Sequence, residues 1–148
     1  MKQKQLDVVD CQVKTPGEKV FVVDDDENLG KSISRLLKRN GYECEFFTSP
    51  LEFLSKLREE EPSLILLDIK MSWIGGLDLI RGLRKNPRYK KIPVVIITGY
   101  PDGENRFQSY KLGANAFVEK PFENQELLEV ISSLLEKKEQ NWAEMEKG

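Results

Sequence analysis

The sequence predicts an α/β fold: an open, doubly wound five-stranded parallel sheet with five helices. Three observations carry that reading. Short, continuous apolar runs rich in β-branched residues recur along the chain, each ending abruptly at polar residues (Val20–Val23, Leu64–Leu67 and Pro93–Ile97). Segments with apolar residues at helical spacing lie between them. The longest apolar runs are also far shorter than the ~18 residues of a membrane span. Strands that are apolar on both faces need helices on both sides of the sheet. Parallel strands joined through helices then call for right-handed crossovers.

The elements follow in order. Residues 1–18 are mixed and polar, broken by Thr15-Pro16-Gly17, and read as an N-terminal arm or linker. The first strand, Val20–Val23, runs into Asp24-Asp25-Asp26. Leu29, Ile33, Leu36 and Leu37 mark a helix stopped by Asn40-Gly41, with Asp26 as its cap. Tyr42–Phe47 suits a second strand, although it alternates poorly. Leu51, Leu54 and Leu57 mark a helix that ends at Glu61-Pro62. Leu64–Leu67 closes on Asp68, and Leu77, Ile80 and Leu83 give a third helix stopped by Asn86-Pro87. Pro93–Ile97 ends at Thr98-Gly99. The stretch from Asp102 to Leu112 is only weakly amphipathic, and Ala116-Phe117-Val118 is the last strand. After Lys120-Pro121, Leu127, Leu128, Ile131, Leu134 and Leu135 share one face of a strong helix. The folded domain is expected over residues 19–136.

Composition narrows the chemistry. At 148 residues the chain is near the ~150 expected of one domain. A net charge of −2 argues against nucleic acid as its main partner. The chain has no histidine, which excludes Ser-His-Asp and Cys-His catalysis and His-containing zinc sites within it. Cys11 and Cys44 form no CxxC pair. No apolar stretch follows Lys2 and Lys4, so no signal peptide, no membrane association, a cytoplasmic location and reduced cysteines are expected.

In open α/β sheets, ligands bind at the carboxyl ends of the strands. The first strand delivers Asp24, Asp25 and Asp26 to that edge, the third Asp68 and the fourth Thr98, while Lys120 follows the fifth. Converging carboxylates repel one another unless they are protonated or share a cation. Oxygen donors without His or Cys suit a hard ion, Mg²⁺ above all. A metal, a lysine and a hydroxyl around a carboxylate are the parts needed to handle a phosphoryl group, with the carboxylate as nucleophile. Taken singly, each residue reads as a cap, a turn or a solvated charge; the ordered combination points to a site.

These stretches resemble the receiver domain of two-component response regulators: VFVVDDD at Val20–Asp26, LILLDIKMSWIGGLDL at Leu64–Leu79, IPVVIITGY at Ile92–Tyr100 and GANAFVEKPF at Gly113–Phe122. The resemblance covers about residues 19–136 and implies a flavodoxin-like receiver fold. It implies that Asp68 accepts a phosphoryl group from a partner sensor histidine kinase or phosphotransfer protein. It assigns metal binding to Asp24, Asp25, Asp68 and the backbone carbonyl of Lys70. It gives Thr98 and Lys120 contacts to the bound phosphoryl group, and it makes Thr98 and Phe117 the switch pair that alters a surface read by a downstream output protein or fused domain. Taken alone, Phe117 reads as a core aromatic.

Three residues depart from the family pattern. Ser72 stands where many receivers have proline, Lys70 puts a cation beside the phosphoryl position, and Tyr100 lies two residues after Thr98. An unusual phosphoryl lifetime is expected from these. A pseudo-receiver that is never phosphorylated is one alternative, and the four retained site residues, Asp25, Asp68, Thr98 and Lys120, argue against it. A Mg²⁺-dependent phosphohydrolase is another, disfavoured because Lys70 occupies the place where that class carries a second aspartate. Residues 137–148, with Trp142 one heptad after Leu135, read either as a helix extension for docking or homodimer formation or as a solvated tail.

Overall fold

The computed structural model describes residues 17–69, 75–99 and 103–147, with side chains described except at 103–105 and 137–147. Strands β1 (Lys19–Val23), β2 (Glu43–Phe47), β3 (Leu64–Asp68), β4 (Val94–Thr98) and β5 (Ala116–Glu119) alternate with helices α1 (Glu27–Arg39), α2 (Pro50–Glu59), α3 (Gly76–Lys85), α4 (Gly103–Leu112) and α5 (Asn124–Lys147). Among the described residues all the strands are parallel, in one sheet of order β2-β1-β3-β4-β5. The predicted doubly wound sheet is thus the observed one. Helix α5 runs through Lys147, although its side chains beyond residue 136 lie outside the described residues. The expectations placed on residues 1–16, Cys11, Lys70, Ser72 and Tyr100 also fall outside them.

Strand residues point alternately to the two faces, so each central strand feeds two cores. On one face Phe21, Val23, Ile65, Leu67 and Ile96 pack with α2 and α3 through Phe53, Leu57, Ile80 and Leu83. On the other, Val20, Val22, Leu64, Leu66 and Ile97 pack with α1 and α5 through residues such as Leu37 and Leu127. Burial on both faces is why these strands read as unbroken apolar runs. Edge strand β2 is buried only at Phe47, and this explains its weaker pattern.

The helix ends obey local chemistry. Asp26 caps α1, its Oδ1 accepting the Leu29 amide at 3.1 Å, with Lys38 and Arg39 in the last turn complementing the helix dipole. Ser49 caps α2 and Pro50 occupies its first turn. Helix α3 starts at Gly76 without a side-chain cap. Its last turn carries Arg84, which ties two loops together at the amino ends of the strands. Arg84 Nε and Nη2 donate to the Gly113 carbonyl at 3.0 and 2.8 Å, Nη2 also to Asn115 Oδ1 at 3.0 Å, and Nη1 to the Lys90 carbonyl at 3.1 Å. Gly113 has φ +113°, and a Cβ there would lie 2.8 Å from the Arg84 side chain, so the residue type is set twice over.

Candidate functional site

Parallel pairing brings the carboxyl ends of β1, β3, β4 and β5 into one row. Val23 is level with Leu67, Asp68 with Ile97, and Thr98 with Glu119. Asp24 and Asp68 therefore emerge side by side, with Thr98 and Lys120 on the next two strands. Asp24, Asp25 and Asp68 each offer a carboxylate oxygen, all within 4.8 Å of one another. Asp24 and Asp68 are buried at 1% and 7% exposure, and Asp25 is exposed at the mouth. Thr98 is fully buried, and its carbonyl accepts the Lys120 amide at 2.7 Å, which fixes the start of the loop carrying the lysine. The Lys120–Pro121 peptide is cis.

Asp24 is held at both oxygens. Its Oδ1 accepts the Asp26 amide at 2.9 Å, and its Oδ2 faces Lys120 Nζ at 2.8 Å. The same ammonium lies 3.6 Å from Asp68 Oδ2. Burial lowers the proton affinity of Lys120, but the hydrogen bond to Asp24 and the charges of Asp24, Asp68 and Asp26 outweigh it, so its pKa is raised. With all groups ionised, three carboxylates against one ammonium leave a formal charge of 1 − 3 = −2 in a largely buried pocket. Such an oxygen-only donor set fits a hard divalent cation and offers nothing to a soft one.

The sequence-predicted residues Asp24, Asp25, Asp68, Thr98 and Lys120 are thus brought to one edge. Phe117 lies further along β5, 7% exposed, in the core on the α2–α3 side of the sheet. It is covered by Arg106 of α4, whose guanidinium carbon is 4.9 Å from the ring centroid. Arg106 carried no signal in the sequence, because it meets Phe117 only through packing across the α4–β5 loop. Beside Lys120 a cleft of about 480 Å³ opens between α1 and the start of α5, lined by Leu29, Ile33, Leu36, Pro121 and Phe122.

Comparison with known proteins agrees with this geometry. The family model described as response regulator receiver domain matches residues 20–132. The transcriptional regulatory protein GltR of Pseudomonas aeruginosa is 32% identical over 119 residues, covering 80% of this chain and 49% of that protein. The chain spans about half the length of most of the curated relatives it matches. Among solved structures, a CheY-like response regulator receiver domain protein from Methanospirillum hungatei superposes with a TM-score of 0.78 at 31% identity, covering 84% of this chain and 98% of that one. The signal receiver domain of a signal transduction histidine kinase from Syntrophus aciditrophicus superposes at 0.75 with 27% identity, covering 81% and 91%. With the family model matching residues 20–132 and the fold superposing on solved receiver domains, the chain belongs to the response regulator receiver domain family of two-component systems.

Proposed function

We propose that the chain is a phosphorylation switch in which Asp68 accepts a phosphoryl group from a phosphohistidine. The observation that carries this is the meeting of Asp24, Asp25 and Asp68 with Thr98 and Lys120 at adjacent strand ends. An Asp68 carboxylate oxygen forms the new bond to phosphorus while the donor's P–N bond breaks, and the imidazole leaves with the electron pair and takes up a proton. Because the chain has no histidine, the donor belongs to another chain or another domain, a sensor histidine kinase or a phosphotransfer protein. Lys120, 3.6 Å from Asp68, would neutralise phosphoryl oxygens, and the Thr98 hydroxyl would hydrogen-bond to them. Asp24 and Asp25, with Asp68 and the Lys70 carbonyl that the family pattern adds, would hold Mg²⁺. That ion would supply further charge neutralisation at the phosphoryl group.

The new group adds a charge of nearly −2 at the strand ends. Thr98 is drawn towards Asp68, and Phe117 follows into the space behind it, altering the surface formed by α4, β5 and α5. That surface is the one offered to an output protein or fused domain. No helix among the described residues is long and apolar enough to cross a membrane, and a cytoplasmic site of action is part of this reading. The apolar cleft beside Lys120 suits the approach of a donor helix to the acceptor.

The test is incubation with acetyl phosphate and Mg²⁺ followed by intact-mass measurement. One hydroxylamine-labile phosphoryl mass is expected on the wild type and none on Asp68→Asn. Equal labelling of both proteins would remove Asp68 from the role, and no labelling of either would favour the pseudo-receiver.

A further inference from the structure

The connection between α4 and the switch strand runs through a cation. Arg106 stacks its guanidinium on the Phe117 ring at 4.9 Å, and its Nη1 lies 3.9 Å from Glu119 Oε1. Phe117 and Glu119 are two apart on β5 and so share one side of the strand. The ring is 7% exposed, whereas the Arg106 and Glu119 side chains are 49% and 51% exposed. The guanidinium is therefore the outer cover of the ring, steadied by a carboxylate on the same strand. Among its described residues helix α4 buries little: Ser109, with Leu112 packed at the edge of the core.

We propose that Arg106 is a positioning residue that sets the threshold of the switch: its guanidinium retains the Phe117 ring in the position it holds here, at the edge of the core, and is left behind when the ring follows Thr98. The proposal rests on the reading of Thr98 and Phe117 as the switch pair. Two effects act in one direction. An attractive cation–ring contact exists only while the ring lies under the guanidinium, so it opposes the ring's departure. Removing the cover also exposes apolar ring surface in that position, which favours movement away from it. By linkage, whatever Arg106 adds to the covered state is subtracted from the affinity for the phosphoryl group.

The test places 4-fluorophenylalanine at position 117 and follows its ¹⁹F resonance during titration with beryllofluoride at fixed Mg²⁺. In Arg106→Ala the half-saturating beryllofluoride concentration should fall, by roughly threefold to tenfold for a half-exposed cation–ring contact. The resonance before titration should already be displaced towards the wild-type end-point. Glu119→Gln should shift both readouts the same way by less, and Arg106→Lys, which keeps the charge but not the plane, should fall between. The thermal midpoint of Arg106→Ala should fall by no more than the few degrees that loss of this one contact implies, separating a shift of balance from general loosening; if that variant does not fold, Arg106→Gln takes its place. A variant that titrates at the wild-type concentration or above it overturns the proposal while leaving the switch intact. A wild-type resonance that ignores beryllofluoride overturns the switch reading, and this proposal with it.

Discussion

Gly76 abuts the backbone of Asp68 so closely that a Cβ on it would lie 2.6 Å from the Asp68 carbonyl oxygen and 2.7 Å from Ile69 Cα. The Gly76 amide also donates to the Ile69 carbonyl at 2.7 Å. The first residue of α3 is thereby welded to the end of the acceptor strand.

Gly76→Ala should therefore damage fold and chemistry together. Backbone rather than a flexible side chain must yield, so a loss of about 1–3 kcal/mol in urea unfolding is expected, with reduced labelling of Asp68 in the fraction that remains folded. Gly75 is the control: the nearest atom to its Cβ would be Asp78 Oδ2 at 3.8 Å, and Gly75→Ala should be tolerated in both assays. If the two alanine variants behave alike, the close approach is not what fixes the acceptor.

The raised pKa of Lys120 gives a pH dependence of defined sign. The folded-state value lies above the ordinary value of about 10.5, so the lysine's stabilisation is complete below that pH and is lost as pH rises through the higher folded value. Stability of the wild type should thus fall more steeply than that of Lys120→Met above pH 10. At neutral pH the variant leaves the 1%-exposed Asp24 without its cation and should lose about 2–4 kcal/mol. Parallel curves for the two proteins would show that folding does not raise the Lys120 pKa, and coincident curves that the ion pair adds nothing to stability.

Divalent cation binding is expected to stabilise the fold. A ligand at 100 times its dissociation constant adds about 2.7 kcal/mol, so Mg²⁺ should raise the thermal midpoint in a concentration-dependent way. Asp25 is exposed, and Asp25→Asn should cost little by itself while removing most of the Mg²⁺ response. Calorimetric titration of the folded protein checks the same point without unfolding. An undiminished response in Asp25→Asn would take that residue out of the metal site.

Thr98→Ala should separate acceptance from transmission. Asp68 should still be labelled, because the nucleophile and Lys120 remain. Amide exchange across residues 98–122 should change with beryllofluoride in the wild type and much less in the variant. Equal changes in both would mean that the hydroxyl does not couple the site to α4 and β5.

Much of this molecule is legible in its sequence, for reasons that differ by element. Strands β1, β3 and β4 are buried on both faces, so they stand out as apolar runs, and their ends are marked where Asp24, Asp68 and Thr98 interrupt them. Helices α1 and α3 announce themselves by apolar spacing and by the Asn40 and Asn86 stops. Edge strand β2 and helix α4 are faint because neither buries a full face. What cannot be read is the meeting of distant side chains. That Lys120 reaches Asp24 at 2.8 Å and Asp68 only at 3.6 Å depends on strand order and loop path. The approach of Gly76 to Asp68 and the cover of Arg106 on Phe117 likewise exist only once the helices have docked.

The three-way hydrogen bonding of Arg84 gives α4 a fulcrum. Its carboxyl-terminal end is bolted through the Gly113 carbonyl and Asn115. Ten residues of helix make a lever of about 15 Å, so a small tilt around the bolted end moves the amino-terminal turn most. The half next to Arg84 travels least. A partner resting on such a lever would respond to an angle, with the same side chains presented before and after.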